Sequence, residues 1–389
     1  MKVFLAGTSL RPAYGGPAYS VSRLATALTK TGVYVGLWTP DQSVATTALL
    51  PAASPVQRLT GSAIKALDRF GKTDVVHDNG IWLPHNHRLA QIAAERGIPR
   101  VVSTRGMLEP WAMKHKQLKK LVAWWLFQRR DLERANCHHT TAKKEASNVQ
   151  RLGLDVPVRV IPNGIDIPEV GRKAASVESG KKTALFMGRI YPVKGLPMLV
   201  EAWARVRPDG WLLQIVGPDE AGHKAEVEKA VSAAGLNEVI SFVGPLDGEA
   251  KRSVLLNADL FVLPTHSESF GMVIAEALAH GLPVLTTTGA PWSMLPQRGC
   301  GWWVDPTVDG LTGGLRQATS LDSGMLQAMG AKGRELVIAE YRWERIAKQF
   351  VITYEDVIAF NKRFISRDQR SEMDRRRITD SKGEQTVRP

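Results

Sequence analysis

Short apolar runs alternate along this chain with longer stretches in which apolar positions recur at helical spacing. "KVFLAG" (2–7), "VYVGLWT" (33–39), "DVVHDNG" (74–80), "PRVVSTRG" (99–106) and "PVRVIPNG" (157–164) read as strands. The first runs lead into helical patterns such as "AYSVSRLATALTKTG". After the polar stretch "GRKAASVESGKK" (171–182) a second series begins: "TALFMG" (183–188), "WLLQIVG" (211–217), "VISFVG" (239–244), "DLFVLP" (259–264) and "PVLTTT" (283–288). Strand–helix alternation of this kind predicts parallel sheets covered on both faces. Two series predict two doubly wound domains, with ligands beyond the carboxyl ends of the strands, in a cleft between them. A helical stripe over 342–364 is followed by a polar, charged end with little to bury, expected to be disordered.

Length and composition narrow the class. A chain of 389 residues exceeds one ordinary core. No apolar run is long enough to cross a bilayer, and "MKVFLAGTS" reads as a first strand rather than a leader. Two cysteines, Cys137 and Cys300, argue against a disulfide framework or a cysteine-based zinc site, and the expected place is the cytoplasm. The net charge of +13 suits nucleic acid, an anionic membrane or a phosphorylated substrate. No zinc-finger, RRM-type or basic-zipper pattern supports nucleic acid.

Two stretches carry candidate chemistry. In "LFMGRIYPVKG" (185–195) a strand ends at Gly188, and Arg189 and Lys194 follow in a turn. Such cations can clamp a diphosphate, Arg as a fork and Lys as a point charge. Two solvated surface cations are the plain alternative. In "SESFGMVIAEALAHGLP" (267–283) Glu268 and Glu276 stand among apolar residues. The spacing predicts a helix starting near Glu268, capped by Ser267 or Ser269, with the two carboxylates about 12 Å apart. The amides of Ser269, Phe270 and Gly271 would then be unpaired and suited to an anion. Two glutamates on an exposed helix face are the alternative, which the apolar surroundings weaken.

"GRIYPVKG" followed by "PTHSESFGMVIAEALAHGLPVLTT", with "NGID" at 163–166 upstream, resembles the donor-binding domain of glycosyltransferase family 4. The resemblance covers most of the chain and is strongest from 160 to 305. It implies an α/β chain of the GT-B fold, two Rossmann-like doubly wound domains facing a central cleft. An acceptor-binding domain would span 1–168 and a nucleotide-sugar-binding domain 169–345. A C-terminal helix, 346–365, would pack back towards the first domain, ahead of a disordered tail, 366–389. The implied activity is retaining transfer of a hexose from a GDP- or UDP-sugar, with no cofactor and no metal. Arg189 and Lys194 would neutralise the departing diphosphate. Glu268 would hold the donor sugar and Glu276 the ribose, with the amides at 269–271 in support. Gly188, Val216, Gly217, Gly244 and Leu246 would lie along the donor, the last four near its base.

In the first half the resemblance points to the glycine-rich "RPAYGGPAYSVSRL" (11–24), where Gly15 and Gly16 are donor-side candidates beside the reading of an ordinary strand–helix turn. "HDNGIW" offers His77, and Asn79 where relatives often have a second histidine. In "STRGMLEPWA", Arg105 occupies the place of a histidine that in many relatives touches the donor sugar. It is expected to bind phosphate, a permanent cation in place of a titratable ring. Thr141 matches a segment beside the cleft. The stretch 113–134 mixes Lys and Arg with Trp124, Trp125, Leu126 and Phe127. It can lie on an anionic bilayer or be a core helix with snorkelling cations. Together these point to a growing polysaccharide or polyprenyl-diphosphate-linked acceptor, in exopolysaccharide or lipopolysaccharide synthesis at the inner face of the cytoplasmic membrane. A soluble enzyme acting on a small molecule or storage glucan is the nearer alternative, and a basic nucleic-acid-binding protein the distant one.

Overall fold

The computed structural model describes residues 1–11, 14–114, 117–169 and 180–362. The expected tail at 366–389 and most of the polar linker lie outside them. The chain divides into two compact units: Met1–Thr140 with Ala146–Ile161 and Ala347–Pro389, and Thr141–Glu145 with Pro162–Ile346. The unit boundaries fall at 140/141, 145/146, 161/162 and 346/347.

The first unit is built on a seven-stranded parallel sheet. Its strands are β1 (Lys2–Ala6), β2 (Tyr34–Trp38), β3 (Gln57–Leu59), β4 (Val75–Asn79), β5 (Arg100–Ser103), β6 (Cys137–Thr140) and β7 (Val158–Val160). They run in the order β3-β2-β1-β4-β5-β6-β7. Val3 pairs with Val35 on one side and Val75 on the other, so β1 is central and is buried from Val3 to Ala6. The order reverses between β1 and β4, which places the ligand crevice of such a sheet beyond their carboxyl ends.

β6 was not visible as a strand because its four residues, "CHHT", carry two histidines where apolar residues are expected. His138 Nε2–H donates to Leu132 O (3.0 Å) and its Nδ1 has no partner, whereas both nitrogens of His139 are bonded. His139 Nε2–H donates to Ile161 O (2.8 Å), and its Nδ1 accepts from Ser103 O–H (2.6 Å). The Ser103 oxygen accepts from His77 Nε2–H (2.7 Å), and His77 Nδ1 accepts from the Tyr354 hydroxyl (2.6 Å). Tyr354 lies on the last helix, 343–362, whose Phe350 ring also packs on His77 and His139. One directional chain of polar groups thus ties β4, β5, β6 and that helix together.

The second unit holds a six-stranded parallel sheet in the order β10-β9-β8-β11-β12-β13. The strands are β8 (Lys182–Met187), β9 (Trp211–Val216), β10 (Ile240–Gly244), β11 (Leu260–Leu263), β12 (Val284–Thr287) and β13 (Gly301–Val304). Leu185 pairs with Gln214 and with Phe261, and Phe261 with Val284. β11 and β12 are buried at every position; β11 is an unbroken apolar run, and β12 buries Thr286 and Thr287, whose hydroxyls donate to Leu263 O and Thr265 O. The reversal falls between β8 and β11. Among the described residues no helix is long and apolar enough to cross a membrane.

Candidate functional site

The carboxyl ends of β8 and β11 carry the motif residues of the second unit. β8 ends at Met187, and the turn through Arg189 to Lys194 leads into the helix Leu196–Val206. Two glycines make this turn possible. A Cβ on Gly195 (φ 70°) would meet the Pro264 carbonyl, and one on Gly217 (φ 146°) the Gly188 carbonyl. Both also sit at positive φ, where side chains are strained. Lys194 is thereby held against the loop after β11, and its Nζ is paired with Glu268 Oε1. Both side chains are only 13% exposed. Thr265 Oγ1 lies 3.2 Å from the same carboxylate oxygen.

Glu268 is not on the helix. The helix is Met272–Ala279, and its N-cap is Gly271 (φ 81°) without a side-chain cap. The expected caps Ser267 and Ser269 therefore do not act as such, and the helical estimate of 12 Å does not apply to the glutamates. The loop is instead pinned by its neighbours. His266 N–H donates to Val193 O (2.8 Å) and Glu268 N–H to Gly289 O (3.0 Å). Trp292 Nε1–H donates to Phe270 O (2.6 Å), and Thr141 Oγ1 lies 3.0 Å from Ser269 O. These contacts turn the carbonyls of Ser269 and Phe270 inward. Among the described residues, the amides of Ser269, Phe270 and Gly271 donate to no carbonyl or side chain. Three free amides before a helix form an anion-binding arrangement.

Glu276 lies on the helix and is paired with Lys251 Nζ at 2.8 Å. Each motif glutamate thus has a lysine of its own. Arg189 is half exposed, and its Nη1 bonds Glu220 Oε2 at 2.5 Å. Val216 and Phe270 point their side chains into the core, so only their backbones can meet a ligand. Gly217 N–H donates to Gly244 O (2.9 Å), which joins the ends of β9 and β10, while Leu246 packs partly on the core. Thr265, Glu220 and Lys251 were not singled out from sequence. Thr265 was findable as the polar residue after a buried strand; nothing in sequence ties Lys251 to Glu276.

In the first unit, Gly15 (φ 78°) caps the helix Gly16–Thr29, with Pro17 in its first turn. The structure brings Asn79 and Arg105 together. Asn79 is buried at the end of β4, and its Nδ2 donates to Ala6 O (3.1 Å). Its Oδ1 accepts from Arg105 Nε (3.2 Å) and Nη2 (2.5 Å). Arg105 Nη1 lies 3.2 Å from Ser20 Oγ on the helix Gly16–Thr29. Asn79 therefore orients Arg105. Arg105 itself stands at φ 51°, a left-handed conformation uncommon for a side-chain-bearing residue.

His77 requires a correction. It was a candidate for meeting an acceptor, but its side chain is fully buried and both nitrogens are engaged, with Tyr354 and Ser103. Burial, then the nearby His139 and Arg105, hold its pKa well below the ordinary value, so it stays neutral. His77 supports the strand ends and cannot touch a ligand. Thr141 is also buried, and contributes through its contact with the Glu268–Gly271 loop.

Comparison with known proteins fits this arrangement. A model described as glycosyl transferases group 1 matches residues 169–336, and one for a glycosyl transferase 4-like domain matches 15–164. An uncharacterised glycosyltransferase of Methanocaldococcus jannaschii is 27% identical over 51% of this chain and 54% of its own. The MMP α-(1→4)-mannosyltransferase of Mycolicibacterium hassiacum is 28% identical over 75% of this chain and 72% of its own. A GDP-mannose:cellobiosyl-diphosphopolyprenol α-mannosyltransferase of Xanthomonas oryzae is 25% identical over 76% of this chain and 77% of its own. The chain thus spans only about half of the first of these relatives. Among solved structures, a sucrose-phosphate synthase from Thermosynechococcus elongatus has a TM-score of 0.76 at 21% identity, covering 92% of this chain and 99% of that one. HepE of Anabaena, in complex with UDP and glucose, has a TM-score of 0.72 at 18% identity, covering 92% and 100%. Both share the two-sheet fold, which is that of GT-B glycosyltransferases.

Proposed function

The chain belongs to the group 1 glycosyltransferases, and on that premise we propose that it moves a hexose from a GDP- or UDP-linked donor to a glycan with retention of configuration. The observation that carries this is the Lys194–Glu268 pair, set beside three free amides at the ends of β8 and β11. In this reading Lys194 and Arg189 face the diphosphate as negative charge develops on it, and the amides of Ser269 to Gly271 support the sugar and phosphates. Arg189 leaves Glu220 to do so. Glu268 accepts from donor-sugar hydroxyls and Glu276 from the ribose. The diphosphate takes the acceptor's proton, and Lys194 and Arg189 neutralise the leaving group in place of a metal. A thermal-shift panel of GDP- and UDP-sugars, repeated with EDTA, tests the donor: ligand binding raises stability with the logarithm of saturation. Transfer retained in Glu268→Ala and Lys194→Ala would refute the site.

The acceptor in this reading is a growing polysaccharide or lipid-linked oligosaccharide, made at the inner face of the cytoplasmic membrane. Its support is a surface of the first unit. Leu118, Leu121, Val122, Trp125 and Leu126 are 79, 54, 58, 71 and 75% exposed. Their spacing is i, i+3, i+4, i+7, i+8, one face of a helix. A π-helical turn at Trp124–Gln128 leaves Trp125 and Leu126 outside, while Trp124 turns to the Trp82 ring. Exposed Lys119, Arg129 and Arg130 flank the stripe. A core helix with snorkelling cations would hide such a stripe; an interfacial helix exposes it. Sedimentation with phosphatidylglycerol vesicles, but not with phosphatidylcholine vesicles, is the expected result, lost in Leu121→Glu/Leu126→Glu. A protein that sediments with neither favours the alternative of a soluble acceptor.

A further inference from the structure

Glu276 and Lys251 make a further point about the donor. Lys251, on the helix Gly248–Asn257, places Nζ 2.8 Å from Glu276 Oε2. That oxygen is closed to solvent and accepts no hydrogen bond, so the lysine meets it as an ion pair alone, although the side chain as a whole keeps 25% of its exposure. The carboxylate oxygen left open is therefore Oε1. The neighbourhood is cationic as well: Lys251 and Arg252 both act on His280, whose Nδ1 lies 2.7 Å from the Glu276 carbonyl. A carboxylate that grips both hydroxyls of a ribose meets the pair oxygen to oxygen. Here one of the two is closed to solvent and charge-paired with an ammonium before any nucleotide arrives.

We propose that Lys251 sets specificity for the nucleoside sugar: it reserves one oxygen of Glu276, so the ribose is held through a single carboxylate oxygen and donors lacking one of its hydroxyls are accepted. This rests on the reading that puts Glu276 at the ribose. The substrate class it adds is the deoxyribonucleoside diphosphate sugar. Lys251 is a positioning residue, acting through Glu276 rather than on the reacting atoms. Lysine suits this role, because a compact ammonium fixes one oxygen without spanning both.

The test compares kcat/KM for the accepted donor with its 2′-deoxy and 3′-deoxy forms, in the full chain. The wild type is expected to use at least one monodeoxy donor within about 3-fold of the ribonucleotide. In Lys251→Met the second oxygen is released, and both monodeoxy donors fall by about 10-fold or more relative to the ribonucleotide, since a hydrogen bond to a charged group is worth roughly that factor. Lys251→Arg keeps the wild-type pattern. The proposal is overturned if the wild type rejects both monodeoxy donors, or if the ratios in Lys251→Met stay within about 3-fold of the wild type. Glu276→Ala separates the two layers. An unchanged donor KM in that variant removes the ribose assignment itself, whereas a raised KM with unchanged ratios in Lys251→Met removes only the role of Lys251.

Discussion

Removing the ammonium of Lys194 should separate stability from catalysis at the donor site. Lys194 Nζ and Glu268 Oε1 form an ion pair whose side chains are each 13% exposed. In Lys194→Ala, Glu268 keeps the Thr265 hydroxyl, 3.2 Å away, and loses the ammonium paired with it. Leaving a mostly buried charge unpaired costs roughly 3 kcal/mol, the lower end of the usual range because some water reaches the pair. For a unit of this size that lowers the melting temperature by about 6–12 °C. The double variant Lys194→Met/Glu268→Gln removes both charges, and most of that loss should return. Activity should not return with it. The donor diphosphate still lacks its fixed cation, and loss of one such group costs about 10²–10³ in kcat. Differential scanning calorimetry and a coupled assay for released nucleoside diphosphate measure the two effects on the same samples. A double variant that is both stable and near wild-type in turnover would refute the reasoning, because the pair would then be structural only.

Three other outcomes are expected. Tyr354→Phe removes the donor to His77 Nδ1 and should destabilise the first unit by about 1–3 kcal/mol, the cost of one unsatisfied buried acceptor, read by urea unfolding. Arg105→Lys should restore little of the transfer lost in Arg105→Ala, because a point charge cannot hold both Asn79 and Ser20; equal rescue by lysine would show that only charge matters there. Stability should fall as pH drops below 6.5. Burial holds His139 at about 3, His138 at about 4 and His77 well below its ordinary value. The neutral forms are thus favoured in the fold, and the stability they contribute is whole above the unfolded pKa and lost as pH falls towards the folded values. Asp78, raised by burial to about 7, and Asp131, also raised by burial, work in the opposite direction, while His85 and His280, lowered by burial, add to the loss. The histidines outnumber the carboxyls, so protons are taken up on unfolding as pH falls towards 5. A flat melting temperature between pH 6.5 and 5 would contradict it.

What could be read from sequence depended on whether neighbours in space were neighbours in the chain. β1, β8 and β11 announce themselves through the apolar runs of strands buried on both faces, and β4 and β12 through the apolar pairs that open them, Val75–Val76 and Val284–Leu285. β3, β6 and β13 do not. β3 and β13 are short edge strands, and β6 hides polar residues whose partners lie on β5, at Ile161 and on other elements. The same contrast governs the site. The glutamates, Arg189 and Lys194 stand in local motifs, so their identity was legible. Their placement was not: the helix was read back to Glu268, because an apolar run with helical spacing gives no sign that Gly271 breaks it with a positive φ. His77 was misplaced for a related reason. A histidine on a strand reads the same whether it faces a ligand or a tyrosine far along the chain.

The pairing of each motif glutamate with a lysine bears on how such a site can be selective without binding its donor too tightly. Two bare carboxylates beside a diphosphate would repel it, and two bare lysines would hold the product nucleotide as firmly as the donor. In the resting structure Lys194 is engaged by Glu268 and Lys251 by Glu276, so neither charge is unbalanced. In the proposed reading, Lys194 is drawn towards the phosphate only as the bond to the sugar lengthens and negative charge grows, and Glu268 is released to sugar hydroxyls at the same moment. The exchange makes the interaction stronger in the transition state than in the ground state, which is what accelerates a reaction. Lys251 has no such charge to meet at the ribose and stays with Glu276. On this argument Lys194→Ala should lower kcat far more than it raises the donor KM, while Lys251→Met should act on KM alone. A Lys194→Ala variant whose loss lies entirely in KM would mean that the ammonium binds ground and transition states alike.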